Sequence, residues 1–97
     1  MKTVRFLLPA EQEMLEAAQY YASQEPGLGQ DFMDAIESAA ANLAEDPRRW
    51  PVLRAGVRRR LVHRFPYGLL YRDDPGEVVV LAVMHLHRHP NYWLKRQ

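Results

Sequence analysis

At 97 residues, with 47% apolar and 26% charged side chains, the chain can bury one hydrophobic core without metal or disulfide staples. It contains no cysteine, which excludes a disulfide framework and a thiolate nucleophile or ligand. Its longest apolar run, Val78 to Met84, is too short to cross a membrane. The net charge of +1 conceals a segregation: residues 1–46 carry two basic and nine acidic side chains, residues 47–97 eleven basic and three acidic. Such a split bears on partners rather than on fold, although acidic helices that neutralise a basic sheet within the molecule account for it equally well.

The first nine residues place charge inside a short apolar stretch and do not make a signal peptide. With the lack of cysteine, this leads us to expect a cytoplasmic protein of one domain, 1–97. Thr3 to Leu8 alternates as a short strand does, with Val4, Phe6 and Leu8 on one side. Pro9 suits the first turn of a helix, and Ala10, Met14, Ala17, Ala18 and Tyr21 then form one helical face. Glu11, Glu13 and Glu16 crowd the opening turns, where the helix dipole favours negative charge. Pro26-Gly27 breaks this helix. A second follows, with Leu28, Phe32, Ile36, Ala39, Ala40 and Leu43 at steps of three and four, and Asp46-Pro47 stops it. Two helices with one apolar stripe each need a sheet to lie on.

Residues 48–56 read as a connector with a short extended piece. From Val57 the pattern alternates: Val57, Arg59, Leu61, His63 and Phe65 point one way, and Arg58, Arg60, Val62 and Arg64 the other, which makes one face strongly basic. Pro66 implies a bend or bulge. Tyr67 to Asp73 is the next strand, and Asp74-Pro75-Gly76-Glu77 has the residues of a type II turn, from which a loop of three to five residues is expected. Val78 to Met84 is apolar at both parities, as in a strand covered on both faces. The tail should fold back, because Tyr92 and Trp93 are costly to leave exposed.

The residues that carry chemistry lie in this half. Arg58, Arg60, Arg64 and Arg88 offer a guanidinium surface for an anionic target or an acidic partner, or equally a solvated outer face of the sheet. Arginine holds developing charge well but is no base near neutrality, so proton transfer in an RNA-cleaving site would fall to His63, His85, His87 or Tyr92. The plainer reading of His85 is a strand-end residue hydrogen-bonded to backbone. His85, His87 and His89 alternate, yet no Asp, Glu or Cys lies near them in sequence, Arg88 adds repulsion and Pro90 ends the strand, so no metal site is expected. Phe65, Tyr67, Tyr71 and Trp50 read as base-stacking rings or, more simply, as core. The glycines form no phosphate-cradling loop, and no cofactor is expected.

A strand, two helices and a three-strand meander, in that order, resemble the RelE/ParE family of type II toxins. Ala17, Ala18, Tyr20 and Tyr21 fit its first helix, and Phe32 and Ile36 its second. Pro47, Val57-Arg58-Arg59, Arg64-Phe65-Pro66-Tyr67 and Tyr71 follow. The ending from Ala82 to Trp93, with Arg96, is similar to the ParE-like, plasmid-stabilisation branch. The resemblance implies a two-layer α+β fold, β-α-α-β-β-β, with a helical hairpin on a small, mainly antiparallel sheet and the N-terminal strand beside the last one. It also implies a cognate antitoxin that wraps the toxin in a hetero-oligomer. The target it implies is DNA gyrase for ParE-like members and mRNA in the ribosome for RelE-like ones. RelE-like nucleases use lysines and arginines with a C-terminal tyrosine. No lysine lies between Lys2 and Lys95, so that set would be His85, Arg88 and Tyr92, in a metal-independent endoribonuclease. A degenerate toxin that only binds its antitoxin is a further alternative.

Overall fold

The structure, a computed structural model, describes residues 1–97. Strand β1 (Thr3–Phe6) leads into helix α1 (Leu8–Gln24), whose first turn holds Pro9. Gly27, in the left-handed region at φ 85°, reverses the chain into α2 (Leu28–Glu45). The hairpin is tight because Gly29 has no side chain: a Cβ there would lie 2.6 Å from the Ala18 carbonyl oxygen and 2.9 Å from Ala22 Cβ. Strands β2 (Val52–Arg54), β3 (Val57–Leu61), β4 (Tyr67–Asp74) and β5 (Glu77–His85) follow, and Leu94–Arg96 forms one 3-10 turn. No helix is long and apolar enough to cross a membrane.

The five strands lie in the order β1-β5-β4-β3-β2. Only β1 and β5 are parallel, from Thr3 opposite Glu77 to Phe6 opposite Val80. The α+β architecture is the one expected, with β2 added at one edge from what reads as a connector. The loop between β4 and β5 is shorter than the expected three to five residues. Asp74 faces Glu77, leaving only Pro75 and Gly76 between them. Proline fixes the first φ and Gly76 supplies the positive one, at 81°, so two residues complete the turn.

The sheet is covered on both faces, as the uninterrupted apolar run of β5 requires. Phe32, Ile36, Ala39 and Leu43 of α2 and Ala10 and Ala17 of α1 pack on Leu69, Tyr71, Val78, Val80 and Val83. A bulge helps: Leu70 faces Ala82 while Tyr71 faces Val80, so Leu81 is extra and Val80 and Val83 share the helix side. On the opposite face the tail folds back and fully buries Trp93 against Val57, Leu70, Leu81 and Met84.

The expected alternation from Val57 through Phe65 does not hold. Strand β3 ends at Leu61, and Arg64 turns the chain with φ at 76°. Val62 and Phe65 therefore both join the helix-side core, whereas Val57 lies under Trp93. Opposite Tyr71 and Leu69, Arg58 and Arg60 stand on the helix side of the sheet.

Candidate functional site

Helix α1 and the end of β5 enclose a cleft of about 190 Å³, lined by Glu13, Glu16 and Tyr20 from the helix and by Tyr67, Val83, His85 and Arg88. Glu13 is its organising residue. Its Oε1 accepts hydrogen bonds from the Val83 backbone N–H at 3.1 Å and from Arg96 Nη1 at 2.8 Å. Its Oε2 accepts from Arg96 Nη2 at 3.1 Å, Arg88 Nη1 at 3.3 Å and the Tyr92 hydroxyl at 2.7 Å. The acidic first helix thus binds the basic tail directly. The Arg88 and Arg96 guanidinium carbons lie 3.8 and 4.9 Å from the centre of the Tyr92 ring, within cation–π range.

This arrangement fixes protonation states. Burial, reinforced by the hydrogen bond to Glu13 and its charge, pushes the Tyr92 phenol far above its ordinary value, so it is a neutral donor. Burial alone lowers the Arg96 pKa, but the Glu13 hydrogen bond and charge reverse that, and the net shift is upward. Tyr67 is raised by burial and then by Tyr21, Tyr20 and Glu13. His85 Nδ1 accepts the backbone N–H of His87 at 3.1 Å, which places the proton of the neutral ring on Nε2. The His85 ring also meets Tyr67 edge-on, with centroids 5.1 Å apart. Because β5 ends at His85, strand alternation does not align His85, His87 and His89, and no three His, Asp or Glu side chains converge.

His85, Arg88 and Tyr92 are therefore neighbours around Glu13, but Arg58, Arg60 and Arg64 do not extend this group into one outward basic face. Arg58 Nη1 donates to the Trp50 carbonyl at 2.6 Å and to that of Arg48 at 3.2 Å. Arg60 donates to Asn42 Oδ1 at 2.6 Å and to the Leu61 carbonyl, and stacks 5.1 Å from the Trp50 ring. Burial, then Arg49, lowers its pKa. Arg64 pairs with Asp31 at 3.2 Å and lies over Phe65. Each is held by the connector or by α2, so the expectation of guanidinium groups all facing outward is corrected. Sequence reasoning missed Glu13 as a hub. It is one of three glutamates near the start of α1, and nothing local signals partners 70 or more residues away.

Two antiparallel helices on a five-strand mixed sheet, closed by a C-terminal arginine tail, define the RelE/ParE class of small toxins. Residues 4–90 match the family described as "ParE toxin of type II toxin-antitoxin system, parDE", and the chain belongs to that family. Among solved structures, it is similar to a chain of the chromosomal ParDE system from P. aeruginosa. The two are 16% identical with a TM-score of 0.79, over 90% of this chain and 98% of that one. It is also similar to a chain of the RelBE2 toxin–antitoxin complex from Mycobacterium tuberculosis, at 29% identity and a TM-score of 0.57, over 87% and 90%. No curated protein matches the chain.

Proposed function

We propose that this ParE-family chain arrests growth by binding DNA gyrase rather than by cutting RNA, and that a cognate antitoxin holds it inactive in a hetero-oligomer. The observation that carries this reading is that the three residues a nuclease would use here, His85, Arg88 and Tyr92, are each committed to a partner within the fold. Tyr92 donates to Glu13, His85 uses Nδ1 for the His87 N–H, and Arg88 shares the Glu13 carboxylate with Arg96. A metal-independent nuclease needs an unoccupied base and cations free to hold a phosphorane-like transition state. A binding protein needs neither. The family match adds to this, and the ParDE and RelBE2 systems lend the expectation of an antitoxin.

The test is to induce the chain in cells that lack any antitoxin, and to add the purified protein to gyrase. DNA damage signalling in the cells and trapped cleaved DNA in the gyrase reaction are expected, with transcripts intact. Messenger RNA cut within minutes of induction would establish the ribosome-dependent nuclease instead, with His85, Arg88 and Tyr92 as its residues. Unimpaired growth would establish a degenerate toxin that keeps only antitoxin binding.

A further inference from the structure

The acidic and basic halves of the chain neutralise each other only in part. Carboxylate side chains outside the ion pairs all belong to residues 11–46, and basic side chains outside them all belong to residues 49–95. Two separate surfaces collect this surplus, and each also exposes apolar side chains. The first is the outer face of the helical hairpin. An apolar hollow of about 340 Å³ opens there, lined by Phe6, Met14, Met33 and Ile36, and a second of about 320 Å³ adjoins it at Gln30 and Met33. Leu15, 46% exposed, lines the second. Glu37 lines the first, Asp34 accepts a hydrogen bond from Gln30 at 2.9 Å, and neither carboxylate pairs with a base. The second surface is β2, whose outer edge pairs with no strand. A register skip between Val52 and Arg54 leaves Leu53 without a cross-strand partner, and the two aliphatic side chains are 54% and 42% exposed. Beside them stand Arg54 and Arg59, neither of which takes part in an ion pair.

We propose that the occupant of both surfaces is a second copy of this chain. The β2 edge of one copy seats Val52 and Leu53 in the helical hollow of the next, where Asp34 and Glu37 meet Arg54 and Arg59. Guanidinium and carboxylate groups pair in a forked geometry, and the aliphatic side chains gain by leaving water. A foreign partner would account for one surface, whereas a second copy accounts for the surplus charge and the apolar side chains of both. A symmetric dimer through either surface alone would set like charges against each other. The two patches differ and lie on different elements, so the contact is heterologous. Each copy that joins leaves one patch of each kind open, and association continues past the dimer into rings or short chains. The contact uses no residue of the Glu13 cleft, so the inference is independent of the molecule the chain acts upon.

The test follows the whole purified chain by sedimentation velocity over rising concentration, at low and at high salt. Species larger than a dimer are expected at low salt, with association at least about tenfold weaker at high salt. The Arg54→Glu/Arg59→Glu variant and the Asp34→Lys/Glu37→Lys variant should each remain monomeric, and an equimolar mixture of the two should associate again. Leu53→Asp, which leaves every guanidinium in place, should weaken association on its own, with circular dichroism confirming the fold of each variant. A chain that stays monomeric at every concentration would overturn the proposal, as would association that stops at a dimer or ignores salt. So would a mixture of the two charge-reversed variants that remains monomeric. A monomeric chain that takes a basic peptide on its helices or an oligonucleotide on its β2 edge would likewise give these surfaces to another partner.

Discussion

Glu13 and Arg96, 83 positions apart in sequence, meet in a forked ion pair in which each guanidinium nitrogen donates to its own carboxylate oxygen. Their side chains are only 13% and 19% exposed, so water does little to screen the interaction. The pair fastens the end of the chain to the beginning of its first helix. Glu13→Ala removes the acceptor for Arg96, Arg88 and Tyr92 together and should lower unfolding stability by about 3 kcal/mol in urea denaturation. A double-mutant cycle with Arg96→Ala should show strong coupling. Additive effects would mean that the two side chains act separately.

Tyr92→Phe keeps the ring beneath Arg88 and Arg96 and removes one hydrogen bond to a charged acceptor. It should cost about 1.5 kcal/mol by thermal or urea unfolding. Growth arrest should persist in this variant, because arrest by binding asks no proton transfer of the phenol. Loss of arrest in a protein that remains folded would give Tyr92 a chemical role.

Asp73 supplies the pH dependence. Hydrogen bonding from Lys2, with a further bond from Arg48, outweighs the opposing effect of burial and holds its carboxyl below the ordinary 3.8. A depressed folded-state value means the contribution is complete above the unfolded pKa and is lost as pH falls through the folded one. Asp73→Asn should therefore lower stability by about 1–2 kcal/mol at neutral pH. It should also flatten the loss that the unaltered chain shows below about pH 4. Parallel acid limbs for the two proteins would refute the assignment.

Gly29→Ala is a conservative change placed where there is no room for it. The added methyl meets the Ala18 carbonyl oxygen at 2.6 Å, and backbone cannot move aside as a flexible side chain would. A loss of about 1–3 kcal/mol is expected despite the better helix propensity of alanine. A rise in melting temperature would show that the helices can separate without cost.

Much of the fold was legible because local signals agreed with it. Pro9 opens α1, Pro26-Gly27 divides the helices and Asp46 closes α2. The two-sided apolar run of β5 foretold a sheet covered on both faces. Alternation failed after Leu61, because the left-handed Arg64 resets which side the next residues face, and nothing in a window of residues marks an arginine for that conformation. The site was half legible. His85, Arg88 and Tyr92 stand out as chemistry near the C-terminus, but what those groups are free to do depends on Glu13, whose partners come to it only through folding. The plain reading of His85, a strand-end residue bonded to backbone, is the arrangement found.

The parallel pairing of β1 with β5 sets when this protein can exist at all. Thr3–Phe6 is the first strand to leave the ribosome, and the only strand it hydrogen-bonds begins at Glu77. Until synthesis is nearly finished, the leading strand has nothing to zip onto and Trp93 cannot seal the outer layer. The one parallel pairing of the sheet is thus among the last contacts that the growing chain can make.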